Sequence, residues 1–184
     1  MLRALRRIDI VEGFQGVAFG TMDGLITILG VVIGIANATR SSAIVVISGL
    51  VAGVANAFGN SIGFYASELA ERAEHIHENQ HVSSMVETRR STFLSFATSL
   101  ASMVVPVVPF ILLANLQLAM TVSLIVALAM LFVLGSLVGK LSRENLWRFG
   151  LRYVLLGLAG AALSFVVGDL LKDLLTVGHW IPPW

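Results

Sequence analysis

Asp23 is the only charged residue in an apolar stretch that runs from about Phe14 to Asn37. A carboxylate about ten residues into a hydrophobic span is costly, and such groups usually face a cavity, an ion path or a polar partner. The run Asp23-Gly24-Leu25-Ile26-Thr27 adds a glycine and, one helical turn on, the hydroxyl of Thr27. Asn56 and Asn60, a turn apart in the next apolar stretch, could supply neutral oxygens to the same path. Interhelical hydrogen bonds would account for the two amides equally well. For Asp23 the alternatives to an ion ligand are a protonated carboxyl bonded to a neighbouring helix and a position shallow enough to reach water.

A second group lies between Ser67 and Arg90, where Glu68, Glu71, Glu74, His75, His77, Glu78, His81, Met85 and Glu87 follow one another. If the helix of the second apolar stretch continues through this segment, Glu71, Glu74, His75, Glu78, His81 and Met85 fall on one side of it. Carboxylate oxygens and imidazole nitrogens on one face suit Fe²⁺, Mn²⁺ or Zn²⁺. Composition alone fits a solvated juxtamembrane face as well. Solubility does not require three histidines as close together as His75, His77 and His81, and these tip the reading toward metal.

Such residues need a scaffold in lipid. Of the 184 residues, 57% are apolar and 12% charged, against about 45–50% and about 25% in soluble domains, and the mean hydropathy is +0.88. The expected fold is all-α, a polytopic membrane protein. Crossing a bilayer takes roughly 20 apolar residues per helix, which gives five spans at about 14–37, 43–66, 93–114, 118–138 and 149–171. Residues 67–92 would form a cytoplasmic helical segment continuing the second span, and no length remains for a separate soluble domain. Glycines recur at four-residue spacing (Gly16, Gly20 and Gly24; Gly30 and Gly34; Gly59 and Gly63), the pattern that lets helix backbones approach in a membrane. Pro106 and Pro109 inside the third span predict a kink.

Charge placement orients the bundle. Ten of the twelve Lys and Arg residues fall on one side: Arg3, Arg6, Arg7, Arg72, Arg89, Arg90, Lys140, Arg143, Arg148 and Arg152. Only Arg40 and Lys172 fall on the other. The positive-inside rule then puts the N-terminus in the cytoplasm, and five spans put the C-terminus outside, with Trp180 and Trp184 as interfacial anchors. Asp9 and Glu12 interrupt the N-terminal segment, which reads as a basic amphipathic lead-in rather than a cleaved signal peptide.

Several functions drop out. Cysteine is absent, so disulfides, thiolate metal sites and cysteine nucleophiles are excluded. No His-Glu-x-x-His, Gly-x-Ser-x-Gly or Walker-type phosphate loop occurs, which argues against an enzyme or an ATP-driven pump. Basic residues sit in small groups beside the spans, so nucleic acid is not expected as a partner.

The sequence resembles the vacuolar iron transporter family of divalent-metal transporters, in particular its short prokaryotic members. The resemblance is carried by Asp23-Gly24-Leu25-Ile26-Thr27 with Gly30 and Gly34, by the acidic helix after the second span, and by Pro106-Val107-Val108-Pro109-Phe110. The run from Leu134-Gly135 through Arg148, Gly150, Arg152 and Gly157 to Gly168 extends it over nearly the whole chain. It implies a homodimer in a prokaryotic plasma membrane, with five spans per subunit and a metal pathway along the dimer axis built from the first two spans. It further implies that Asp23 is a pathway ligand, that Fe²⁺ or Mn²⁺ leaves the cytoplasm in exchange for protons, and that Glu71, Glu74 and Glu78 collect metal, with the histidines added. Where better-known members carry Met, then Gly-Glu-Tyr, then Ser, this chain has Asn60, then Gly63-Phe64-Tyr65, then Ser67. A thioether is replaced by a harder amide and a carboxylate by an apolar ring.

The expected function is export of a divalent transition metal through Asp23, Asn60, Asn56 and Thr27, fed by Glu68, Glu71, Glu74, His75, Glu78 and His81. Two alternatives stand beside it: a non-transporting metal-binding sensor or scaffold, favoured by Asn60 and Phe64, and a transporter of another cation or small solute.

Overall fold

The computed structural model describes the backbone of residues 2–77 and 84–177 and the side chains of residues 14–76 and 84–172. Its elements are α1 (Leu2–Thr39), α2 (Ser42–His77), α3 (Met85–Ser102), α4 (Val104–Leu112), α5 (Leu116–Leu141) and α6 (Leu146–Val177). α3 and α4 are separated only at Met103 and count as one span, Met85–Leu112, so five segments among the described residues are long and apolar enough to cross a membrane. At 1.5 Å per residue the 38 residues of α1 and 36 of α2 reach about 57 and 54 Å. The hydrocarbon core is about 30 Å thick, so both helices project well beyond it.

Local chemistry sets the ends. α3 opens on a capping box in which the Ser84 hydroxyl accepts from the Glu87 amide and the Glu87 carboxylate accepts from the Ser84 amide. Met85 therefore begins a new helix and does not extend the face of α2, as a single continuous helix would require. Asn115 caps α5 by accepting from the Leu118 amide. The predicted kink falls at Met103, one residue before α4. Pro106 has no amide to offer the Ser102 carbonyl, and the chain restarts so that Pro106 occupies the first turn of α4, where a missing N–H costs nothing.

α1 runs through the middle and touches all the others. Its glycines make this possible. A Cβ on Gly16 or Gly20 would overlap the carbonyl of Ser91 or Ser95, and one on Gly24 would overlap the Ser102 hydroxyl. The partner numbers rise together, so α1 and α3 run parallel. Further along, Gly30 and Gly34 lie against Ser164, and Gly168 against the Gly34 carbonyl, which makes α6 parallel to α1 as well. Ser91, Ser95, Ser99 and Ser102 are all buried in the first seam. Above it lies a dry core of Leu25, Ile28, Leu29, Val32, Val45, Val107 and Leu131.

α2 is bound on one side only. Gly49 and Gly53 press against Val107 and Met103. Ile47, Val51, Phe58 and Ile62 are exposed as a large apolar stripe. Beside that stripe, Ala55, Gly59, Gly63 and Ala66 form an exposed stripe of small residues, and a Cβ on Gly59 or Gly63 would meet nothing within 4 Å.

Candidate functional site

The polar residues of the first two spans meet along the α1–α2 seam. The Asn56 amide nitrogen donates to Asp23 Oδ2 at 2.6 Å. One turn of α1 toward its N-terminus, the rings of Phe19 and Phe64 touch at 5.2 Å between centroids. A further turn on, the Gln15 amide donates to Glu68 Oε1 at 3.2 Å. The Gln15–Glu68 and Phe19–Phe64 contacts step by four residues on both helices, and one further step of this antiparallel register leads to Asp23 on α1 and Asn60 on α2, although the bonded partner of Asp23 is Asn56, a turn beyond Asn60. The Asn60 amide nitrogen is buried and has no hydrogen-bond partner. Such a group costs free energy until something satisfies it.

Asp23 thus sits at a boundary. On its C-terminal side Leu25, Ile28, Leu29 and Val32 are fully buried and offer a cation nothing. On its N-terminal side the seam carries amides and a carboxylate. Asp23 is itself only half-buried, and its contact with Asn56 commits one carboxylate oxygen and the amide nitrogen. The remaining oxygens are two hard donors of the kind that divalent first-row metals accept.

Thr27 points elsewhere. It is half-buried and lines a groove between α1 and α6 together with Gly30, Ser164 and Gly168. Glu71 and Glu74 are exposed and His75 is half-buried. Among the described residues no three carboxylate or imidazole side chains come close enough to hold a metal; Glu78 and His81 lie outside the described residues, as do Trp180 and Trp184. Gln15 and Phe19 were not singled out from the sequence. Their signal was present as the four-residue steps 15, 19 and 23 matched against 60, 64 and 68.

The sequence profile of the VIT family matches residues 14–90 and 74–169. The chain belongs to the VIT family. This is a family of membrane metal-ion transporters, and the five apolar helices agree with an integral membrane protein. Similarity also extends to an uncharacterized protein of Methanocaldococcus jannaschii, 29% identical over 179 residues, covering 87% of this chain and 92% of that protein. Both VIT segments include the end of α2 and the start of α3, so the acidic stretch at the end of α2 belongs to the shared region.

Proposed function

We propose that this VIT protein is a homodimeric exporter that carries Fe²⁺ or Mn²⁺ out of the cytoplasm in exchange for protons, with Asp23 as the exchange site. The reading rests on one observation: a lone carboxylate within a span, bonded to Asn56, with the buried and unsatisfied Asn60 amide one turn along α2 from that partner. Metal and proton compete for the same oxygens, and a group that takes either can exchange them as the pathway opens to each side. Flux of Mn²⁺ into sealed liposomes under an imposed pH gradient tests it. Saturable uptake that collapses with the gradient supports antiport, and flux indifferent to the gradient removes it.

The stripe of Ala55, Gly59, Gly63 and Ala66 supports the second copy, because small residues pair helices where lipid leaves no hydrophobic drive. Gly59→Leu should leave a folded monomer with an unchanged circular dichroism spectrum while shifting the detergent-solubilised protein to half its mass. Retention of the dimer would move the interface elsewhere.

Capture at the membrane surface is assigned to Glu71, Glu74, His75 and Glu78. Imidazole and carboxylate ligands bind metal in their deprotonated forms, so capture weakens as the solution is acidified. Replacing all four by Ala should abolish the Mn²⁺ binding heat measured by calorimetry. Equal heats from both proteins would take this segment out of the pathway.

A second reading has its own observation. The Phe19–Phe64 pair closes the seam between Glu68 and Asp23, which suits a sensor that binds metal without passing it on. The same liposomes decide: binding with no flux in the wild-type protein selects the sensor.

A further inference from the structure

We infer that the groove between α2 and α3 holds one anionic phospholipid, with its phosphate at Arg89 and an acyl chain running toward Phe58 and Phe96. The inference rests on the chain's lying in a membrane and is independent of whether it transports metal. The groove has a volume of about 510 Å³. Arg89 and Tyr65 stand at its mouth, and its walls are Phe58, Ile62, Phe93 and Phe96. The Phe58 and Phe96 rings meet edge-on at 5.2 Å and close its deep end.

The polarity is graded along its length. From Arg89 to Phe96 the α3 wall runs about 10 Å at helical rise, from a guanidinium to an aromatic floor. Of the three hydroxyl residues on the lining, Thr92 donates to the Thr88 carbonyl and Ser61 to the Ala57 carbonyl, which leaves Tyr65 at the mouth with Arg89. Arg89 is exposed, and among the described residues it has no ion-pair or hydrogen-bond partner. It is therefore the one full charge on the lining of a largely apolar cleft. A free inorganic anion would find no second donor deeper in, whereas a lipid matches both ends. Basic pockets between spans on the basic side of a bundle are where anionic headgroups are held. The comparable groove between α1 and α6 is lined by Ile26, Val31, Leu163 and Val167 and carries no charge that would choose a headgroup.

Native mass spectrometry of the full chain in detergent provides the test, with phosphatidylglycerol and phosphatidylcholine of matched acyl chains as probes. The wild-type protein should retain phosphatidylglycerol about five- to tenfold more than phosphatidylcholine. Arg89→Gln should reduce phosphatidylglycerol to the phosphatidylcholine level, Arg89→Lys should keep most of the preference, and Arg90→Gln should leave it unchanged. Undiminished preference in Arg89→Gln would overturn the assignment. So would an equal loss in Arg90→Gln, which marks diffuse attraction to the basic end, or displacement of the lipid by excess inorganic phosphate, which marks an anion site without a use for the chain.

Discussion

Asp23→Asn should bring pH-gradient-driven Mn²⁺ flux down to the leak of protein-free liposomes while the protein still folds and assembles. The substitution preserves shape, and the new amide oxygen can still accept the bond that Asn56 donates at 2.6 Å. What it removes is the negative charge that, in the proposed exchange, would hold a divalent cation against the cost of leaving water. No other acidic group is described within the membrane-buried part of that seam, and the nearest, Glu68, is two turns away behind the Phe19–Phe64 pair. Asn60→Ala should be milder, because an amide ligates without charge. Normal flux in Asp23→Asn combined with failed assembly would make Asp23 a packing group.

Gly20→Val should have the largest effect on folding. A Cβ at this position overlaps the Ser95 carbonyl and comes within 2.5 Å of the Thr98 hydroxyl. The obstruction is backbone, so no rotamer change relieves it, and α1 must move off α3. Overpacking typically costs about 1–3 kcal/mol and sometimes more, out of a total stability of about 5–15 kcal/mol. Here the same displacement would also unseat Gly16 and Gly24 from their serines. The yield of folded protein and its thermal midpoint in detergent should fall together. Gly59→Leu provides the contrast, since that position faces open space and its monomer should melt normally. Equal midpoints for Gly20→Val and the wild type would mean that the α1–α3 seam is looser than drawn.

The five spans were legible because length and hydropathy fix them with little help from packing. Most of their edges were legible too, but the start of the third was not. α3 starts at Met85, two turns ahead of Phe93, and its first turns are already buried at Thr88 and Ser91, the latter against Gly16 of α1, although a hydropathy reading counts both as interfacial. The capping box at Ser84 was equally present in the sequence and separates Met85 from the face of α2. In the site, helical periodicity could group Asp23 with Thr27 as neighbours on one helix. It could not say that α2 would take the first and α6 the second. The pairing of Asp23 with Asn56 required the register between helices, which depends on where Gly49 and Gly53 let α2 settle.

Parallel packing of α1 with α3 and α6 has an electrostatic consequence. Each helix carries about half a positive charge at its N-terminus and half a negative charge at its C-terminus. α1, α3 and α6 begin at the same end of the bundle, while α2 and α5 return. Two returning dipoles cannot cancel three, and one helix dipole survives with its positive pole at the arginine-rich end. The same end receives the last turns of α2, which carry Glu68, Glu71 and Glu74. Any cation that crossed from that end toward the Arg40 end would move down the field left by the odd helix.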